Sequence, residues 1–439
     1  MLKTKSQIDL NLGLEYYSTD FNGVFGKART LPHDFIVEEV ALDGSIAYTS
    51  LSDEEVVEVY WGGREYAVFI LEKCYKETLS TISLLKKIAK EEVGFSGIKD
   101  KRALTSQFIT IPSTAKEKLL DINLGFTLRF IGFSRYQLRR GMLRGNQFTI
   151  VVRDVKHKDL KSLEHWLSQA LTAISLNGLI GYYGYQRFGT TRPITHLVGK
   201  HIIRGEEEQA VDLILKTSYD YECLESKIIR QLIEKGALRQ ASKLFFSSSY
   251  ERAILNAMLE QGNQHQALKC IPKKLKQLFI HGYQAYLFNK ALSKLIEERG
   301  SLSEVKPGDV VGMLSSWGEA TQFIRVTEAN KDKMSKLVSE HKASLVMPIP
   351  GSKLKTSEYL REVMEKEGVK LDDFKKLKVK GGFRQCLAYP HIAYFKVSED
   401  YMSTTGLSYT IKFYLPKGFY ATMLLRELIK PQNPCECNL

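Results

Sequence analysis

The sequence lacks the patterns that would place the chain in a membrane or around a structural metal. No stretch approaches the roughly 18 uncharged apolar residues of a membrane helix, and residues 1–10 lack the apolar core of a signal peptide. The six cysteines form no Cys-x-x-Cys pair, and the nine histidines do not fall into zinc-ligand spacings. We therefore expect a reduced, cytoplasmic protein without a metal, ending in a loose tail around Cys435 and Cys437.

Acidic residues are outnumbered by basic ones. The 439 residues include 63 Lys and Arg but only 50 Asp and Glu, which gives a formal net charge of +13. A positive surplus attracts polyanions, and nucleic acid is favoured because neutralising its phosphates releases condensed counterions. A soluble protein that is merely basic would show the same balance, so charge leaves both readings open.

Hydrophobic periodicity predicts a mixture of strands and helices with a helical middle. Residues 125–153 have strand character, whereas residues 206–295 are helical almost throughout. An α+β platform interrupted by a more helical insertion is the simplest interpretation. The predicted strands are 35–40, 56–60, 66–71, 108–111, 393–397 and 409–414, and the predicted helices outside the middle are 78–93, 161–176 and 420–430.

One segment concentrates charge around a single carboxylate. Residues 94–107 read GFSGIKDKRALTSQ, and their two glycines permit a tight loop. Asp100 lies between Lys99 and Lys101 and is followed by Arg102. These cations favour the carboxylate form, which nucleophilic attack requires, and they could hold a phosphodiester beside it. By composition alone, an exposed charged turn is the commoner explanation of such a run.

A second segment concentrates aromatic rings. Residues 181–189 read GYYGYQRFG. Aromatic rings with an arginine suit stacking on an unstacked base and pairing with phosphate. A turn that packs its tyrosines into the core is the other interpretation.

Both segments resemble motifs of the TruD family of tRNA pseudouridine synthases. Residues 94–107 match the family's Gly-Phe-Ala-Gly-x-Lys-Asp-Lys-Arg-Ala-x-Thr-x-Gln, with Ser96 in place of Ala, and residues 181–189 resemble Asn-Tyr-Phe-Gly-x-Gln-Arg-Phe-Gly. Further family blocks occur in order, so the resemblance covers nearly the whole chain. These blocks are PHDFIVEE at 32–39, YQAYLFN at 283–289 and LPKGFYATMLLRE at 415–427.

The resemblance implies an α+β fold. Its pseudouridine-synthase catalytic domain has a mixed, mainly antiparallel sheet with flanking helices, and a large family-specific α+β insertion interrupts it. Residues 1–206 and 392–439 would form the catalytic domain, and residues 207–391 the insertion. RNA would lie in the cleft between the two parts. Arginines are the candidate phosphate contacts: Arg135, Arg139, Arg140, Arg144, Arg187 and Arg192.

The resemblance also implies an isomerase that breaks the C1′–N1 bond of a uridine and rejoins the ribose through C5. Uridine 13 of tRNA is the expected target, no metal or organic cofactor is used, and other RNAs are further candidate partners. We expect a monomer that does not bind membranes. A non-catalytic RNA-binding or RNA-chaperone protein on the same scaffold stays open. An aspartate-nucleophile phosphotransferase is disfavoured because its Asp-x-Asp loop is missing.

The family pattern places the essential aspartate at Asp100, either as nucleophile at C1′ or as the base that removes the C2′ proton. A salt bridge from Arg29, where some members have Lys, would keep this carboxylate ionised and aimed. Gly181 departs from the family, which usually has Asn there, and His33 replaces a Glu. The residues implied in substrate binding are Arg29, Phe35, Lys99, Tyr183, Gln186, Arg187 and Phe188.

Overall fold

The computed structural model describes residues 1–120, 122, 124–246, 249–261, 267–352 and 356–439. Strands and helices are mixed along these residues, which confirms the α+β expectation. The strands are β1 (Leu2–Lys3), β2 (Tyr16–Tyr17), β3 (Phe35–Val40), β4 (Val59–Trp61), β5 (Tyr66–Cys74), β6 (Gly94–Phe95), β7 (Leu104–Pro112), β8 (Thr127–Ser134), β9 (Gly145–Val152), β10 (Leu179–Ile180), β11 (Val310–Leu314), β12 (Ala320–Arg325), β13 (Ala343–Ile349), β14 (Gly382–Gln385), β15 (Leu387–Ala388), β16 (His391–Glu399) and β17 (Leu407–Pro416).

The helices lie between and after these strands. No helix in the described residues is both long and apolar enough to cross a membrane. The α-helices are Gln7–Asn11, Thr78–Ala89, Leu160–Asn177, Thr195–Arg204, Glu207–Lys216, Leu224–Glu234, Leu238–Leu244, Tyr250–Gln261, Lys273–Arg299, Lys331–Ser339, Glu358–Lys366, Leu371–Lys376 and Ala421–Ile429; the 3₁₀ helices are Pro32–Asp34, Ser113–Leu119, Tyr185–Arg187, Leu268–Cys270 and Pro434–Cys437.

The largest sheet has the strand order β16-β17-β9-β3-β7-β5-β8-β4, with β6 added beside β7. Most neighbours are antiparallel, but β4 runs parallel to β8 and β3 runs parallel to β7. In the second of these pairs Ile36 is opposite Leu104 and Glu38 is opposite Ser106. Parallel strands begin at the same edge of a sheet. The chain just before β3 therefore meets the chain just before β7, although about 70 residues separate the two segments.

Strands from the two ends of the chain share this sheet. β17 pairs with the whole length of β9, from Tyr409 opposite Val152 to Pro416 opposite Gly145. Between them in sequence lie a run of helices and a smaller sheet with the order β12-β11-β13-β14. The helices within residues 207–271 share an apolar cluster that includes Val211 and Ile214 and extends to Ile194, Val198 and Phe279 of the flanking segments. The domain boundaries at 206 and 391 stay a prediction.

The local predictions differ from the structure mainly at element ends. The strand at 35–40 is confirmed, whereas the one at 56–60 begins only at Val59. The predicted helix 78–93 ends at Ala89, because Lys90 takes a left-handed conformation with φ of 55° and ends the helical hydrogen bonding.

The prediction of a loose C-terminal tail is wrong. Pro434–Cys437 forms a 3₁₀ helix, and the side chains of Cys437 and Leu439 are buried. The Cys437 carbonyl accepts the Ala28 N–H at 3.1 Å, and the Asn438 side chain donates to the Ala28 carbonyl at 2.9 Å. Burial of apolar side chains at the end of the chain, together with these hydrogen bonds, holds the tail against the segment that precedes Arg29.

Candidate active site

An ion pair joins the two segments that precede β3 and β7. Arg29 lies before β3 and Asp100 before β7, and the Arg29 Nη2 donates to the Asp100 Oδ2 at 3.0 Å. The arginine side chain is 13% exposed and the aspartate side chain 43%, so the carboxylate remains accessible while its partner is largely covered. The parallel pairing of β3 with β7 thus brings together the two charged residues that the sequence predicted as partners.

Packing fixes the orientation of Arg29. Its backbone has a φ of 54°, a conformation that non-glycine residues seldom adopt. Its guanidinium lies 4.1 Å from the centre of the Phe35 ring, which gives a cation–π contact. The guanidinium is therefore held between an aromatic face and the Asp100 carboxylate.

The side chains of Arg29 and Asp100 line a cleft with a volume of about 180 Å³. Aromatic rings and polar side chains both contribute to its wall, a composition that suits a planar ligand with polar edges. The aromatic lining residues are Phe35, Phe148, Phe419 and Tyr420, and the polar ones are Arg29, Lys99, Asp100, Asn146, Gln186 and Thr422.

Hydrogen bonds to residues 96–99 anchor the loop just before Asp100. The Thr78 hydroxyl accepts the Lys99 N–H at 3.1 Å and donates to the Lys99 carbonyl at 3.2 Å. The Gln107 side chain donates to the Gly97 carbonyl at 3.1 Å, and the Ser96 carbonyl accepts the Gly141 N–H at 2.8 Å. A charged turn in free solution would have few of these anchors, so the structure favours a positioned loop.

Lys99 belongs to the cleft but its charge is already paired. Its ammonium lies 2.8 Å from the Glu39 carboxylate in a buried ion pair, and it also donates to the Asn146 side chain. Glu39 is a residue of β3 and Asn146 of β9, so Lys99 ties the loop to two neighbouring strands. Lys99 therefore lines the cleft with its ammonium already bound to Glu39 and Asn146.

The aromatic segment 181–189 reaches the cleft at Gln186. The Gln186 side-chain oxygen accepts the Thr422 hydroxyl at 3.1 Å. Tyr183 lies beside the described lining and contacts it through Tyr420, with ring centres 6.4 Å apart. The Arg384 guanidinium covers the Tyr183 ring at 3.9 Å.

Arg187 and Phe188 of this segment do not line the cleft. Phe188 is fully buried and packs edge-on against His196, with ring centres 5.4 Å apart. The Arg187 guanidinium lies 5.7 Å from the centre of the Tyr183 ring. Of the residues expected to bind substrate, Arg29, Phe35, Lys99 and Gln186 therefore line the cleft, Tyr183 and Arg187 flank it, and Phe188 belongs to the core.

Comparison with known proteins shows the family of the chain. The family model for tRNA pseudouridine synthase D (TruD) matches residues 11–428. The chain belongs to the TruD family. A relative from Thermococcus onnurineus, named "Probable tRNA pseudouridine synthase D", is 32% identical over 94% of this chain and 97% of its own length. Another, of the same name from Methanococcoides burtonii, is 32% identical over 96% of this chain and 97% of its own.

A solved TruD structure has the same fold. The crystal structure from Methanosarcina mazei superposes with a TM-score of 0.75 at 29% identity, covering 97% of this chain and 98% of that one. The α+β architecture and the isomerase family that the sequence predicted are thereby confirmed.

The departure from the TruD pattern at Gly181 has a steric cause in this chain. A Cβ atom at this position would lie 2.2 Å from the Gln385 carbonyl oxygen. The Gly181 N–H donates to the Cys386 carbonyl at 2.7 Å, and the Gly181 carbonyl accepts from Arg384 at 2.8 Å. The segment before β15 thus packs directly on the backbone of Gly181 and leaves no room for an asparagine.

Several site features were not predicted as such. Phe419 and Tyr420 lie in the TruD-like block at 415–427, which was the available signal for them. No sequence motif marks Asn146 as a site residue, because only strand pairing brings it to the cleft.

Arg192 is engaged within the protein and not presented to solvent as a phosphate contact would be. It donates to the Leu213 and Ile214 carbonyls, and burial lowers its pKa to about 10. No cluster of three or more His, Cys, Asp or Glu in the described residues is arranged to hold a metal ion.

Proposed function

We propose that the protein converts uridine to pseudouridine in tRNA, that uridine 13 is its target, and that Asp100 is the essential carboxylate. The ion pair between Asp100 and Arg29 at the open cleft carries this proposal. In the reaction the C1′–N1 bond breaks, C5 bonds to C1′, the C5 proton leaves and N1 gains a proton. An accessible, ionised carboxylate beside the ribose is the group this sequence of steps requires.

The target uridine must leave its stack to reach Asp100. The rings of Phe35, Phe419 and Tyr420 offer stacking surfaces for the extruded uracil. The Gln186 and Asn146 side chains can donate and accept hydrogen bonds at its polar edge. In this proposal Tyr183 and Arg187 support Tyr420 from outside the cleft and Phe188 anchors the segment in the core.

Arg29 is assigned the positioning of the carboxylate. Arg29 donates to the Oδ2 atom of Asp100. In the described part of the chain no hydrogen bond involves the Oδ1 atom, so this atom can face the ribose. Asp100 then either attacks C1′ or removes the C2′ proton. Deuterium at C2′ of the target uridine separates the two: proton removal predicts a primary isotope effect on the single-turnover rate, and attack at C1′ predicts none.

The same proposal assigns RNA binding to the two-part architecture. Residues 1–206 and 392–439 form the catalytic domain and residues 207–391 the insertion, with RNA between them. The sharing of one sheet by β3 to β9 and by β16 and β17 supports the split catalytic domain. Arg139 and Arg140 are exposed beside the loop of Asp100 and suit phosphate contacts.

The test is tritium release from tRNA labelled at uridine C5. We expect release by the unchanged protein, none by Asp100→Asn, and none from a tRNA with cytidine at position 13. Equal release by both proteins would refute the role of Asp100, and unchanged release from the cytidine-13 tRNA would refute the target position. Tight tRNA binding without release by either protein would favour the binding-only alternative.

A further inference from the structure

A buried lysine next to Asp100 has no part in the proposed chemistry. Lys73 lies near the end of β5 and only 1% of the residue is exposed. Its ammonium donates to the backbone carbonyl of Asp100 at 3.1 Å. In the sheet Lys73 is opposite Thr105 of β7, so the strand register places it beside the loop that leads into β7.

The electrostatic position of Lys73 differs from that of Arg29 and Lys99, the two other cations that lie at the cleft beside Asp100. Arg29 is paired with the Asp100 carboxylate, and Lys99 with Glu39. No carboxylate in the described part of the chain lies within 4.0 Å of the Lys73 ammonium. The charge of this ammonium therefore has the Asp100 carboxylate as its main counter-charge.

The surroundings make this ammonium easy to deprotonate. Burial lowers the pKa of Lys73 to about 8, the Asp100 carboxylate opposes the shift, and Lys99 reinforces it. Cys74 on the same strand and Glu77 before the helix Thr78–Ala89 each raise the pKa of Lys73, by less than Asp100 does. The group is thus charged below about pH 8 and neutral above it.

We propose that Lys73 is a positioning residue for Asp100, and that its charged form fixes the aspartate backbone so that the carboxylate faces the ribose. The inference rests on the proposed function. A hydrogen bond from an ammonium is roughly twice as strong as one from a neutral donor, so deprotonation loosens the loop at its central residue. The conversion rate should therefore fall as the pH rises through about 8.

The test compares single-turnover tritium release from pH 6 to 10, and tRNA binding, in four proteins. They are the unchanged protein, Lys73→Met, Lys73→Arg and Lys87→Met. Lys87 is an exposed lysine of the helix Thr78–Ala89, so its variant makes the same change in net charge away from the loop.

We expect Lys73→Met to lower the rate by at least about tenfold, the loss typical of a charged hydrogen bond, with tRNA affinity within about twofold. Lys87→Met should match the unchanged protein. Arginine stays charged across this range, so Lys73→Arg should keep most of the rate and lose the fall near pH 8. A fall caused by deprotonation of uracil itself would persist in Lys73→Arg.

A second measurement needs no activity. The side-chain resonance of Lys73 can be followed by NMR in ¹⁵N-lysine protein and assigned by its loss in Lys73→Arg. In Asp100→Asn the pKa of Lys73 should fall, because the opposing carboxylate is gone. The inference is overturned by an unchanged titration in Asp100→Asn, by a Lys73→Met rate within twofold of normal, or by a pH profile shared with Lys73→Arg. Inactivity of the unchanged protein would refute the proposed function instead, with the titration still deciding the coupling.

Discussion

Among single residues, Arg29 links the chemistry of the cleft to its packing. Its guanidinium bonds the Asp100 carboxylate and lies on the Phe35 ring. Burial lowers the pKa of this guanidinium and Asp100 opposes the shift, yet an arginine remains charged at any physiological pH. A lysine could supply the charge but not the planar surface that rests on the ring.

Replacing Arg29 tests this double role. Arg29→Met should lower the single-turnover rate by about 10- to 100-fold, because a hydrogen bond between charged groups contributes about 1.5–3 kcal/mol. Arg29→Lys should recover part of the rate, since the charge returns without the fork geometry. Rates and tRNA affinities measured together check this. A normal rate in Arg29→Met would show that the ion pair is not needed for the reaction.

The residues of the site differ in how far sequence could predict them. Asp100 and Arg29 were predicted because a run of charges and a family motif mark them in the sequence. The positions of Asn146 and Lys73 could not be, because each depends on which strands pair and in which register. The sequence likewise allows Phe188 either to stack on a base or to pack in the core. Only its burial against His196 in the structure shows that it packs in the core.

At the scale of elements, the site depends on a local exception in the sheet. β3 and β7 are parallel within a mainly antiparallel sheet, and the loops before them carry Arg29 and Asp100. Short runs of β-branched and aromatic residues predicted the strand at 35–40 and most of β5. Such a run contains no information on strand order or direction, because it suits any neighbouring strand. The parallel pairing of β3 with β7 was therefore beyond sequence reasoning.

The contact of the segment after β10 with that before β15 gives a prediction at this scale. Gly181→Asn would restore the usual TruD residue but force its Cβ against the Gln385 carbonyl oxygen, 2.2 Å away. We expect a loss of about 1–3 kcal/mol in stability, typical of overpacking, seen as a lower midpoint of urea unfolding. Gly382→Ala is the matched control, because nothing lies within 4 Å of the Cβ it would add. Equal midpoints for the two variants would contradict the steric account.

At the scale of the whole molecule, the two ends of the chain hold each other. Asp9 near the start and Arg426 near the end form a buried ion pair at 2.8 Å. The Glu427 carboxylate accepts the backbone N–H groups of Ser18 and Thr19 at 3.1 and 2.8 Å. The helix Ala421–Ile429 that carries these partners begins directly after Tyr420 at the cleft. Closure of the chain ends thus also fixes one wall of the site.

A double-mutant cycle on this pair tests the closure. Asp9 also accepts the Tyr185 hydroxyl at 2.6 Å, and Arg426 also donates to the Leu14 carbonyl at 2.7 Å. Either single substitution therefore leaves buried polar groups without their hydrogen-bond partners. Asp9→Leu and Arg426→Met should each cost about 3–5 kcal/mol, because each leaves an uncompensated buried charge.

The double variant should cost clearly less than the sum, because it removes both charges at once. Urea unfolding of the four proteins measures the coupling, and additive losses would mean that the two charges do not stabilise each other.

Because the helix after Tyr420 carries Arg426, the single variants should also lower the rate of uridine conversion under conditions where they remain folded. The double variant should recover part of that rate with its stability, whereas recovery of stability alone would show that the wall of the cleft is set by Glu427 and its neighbours.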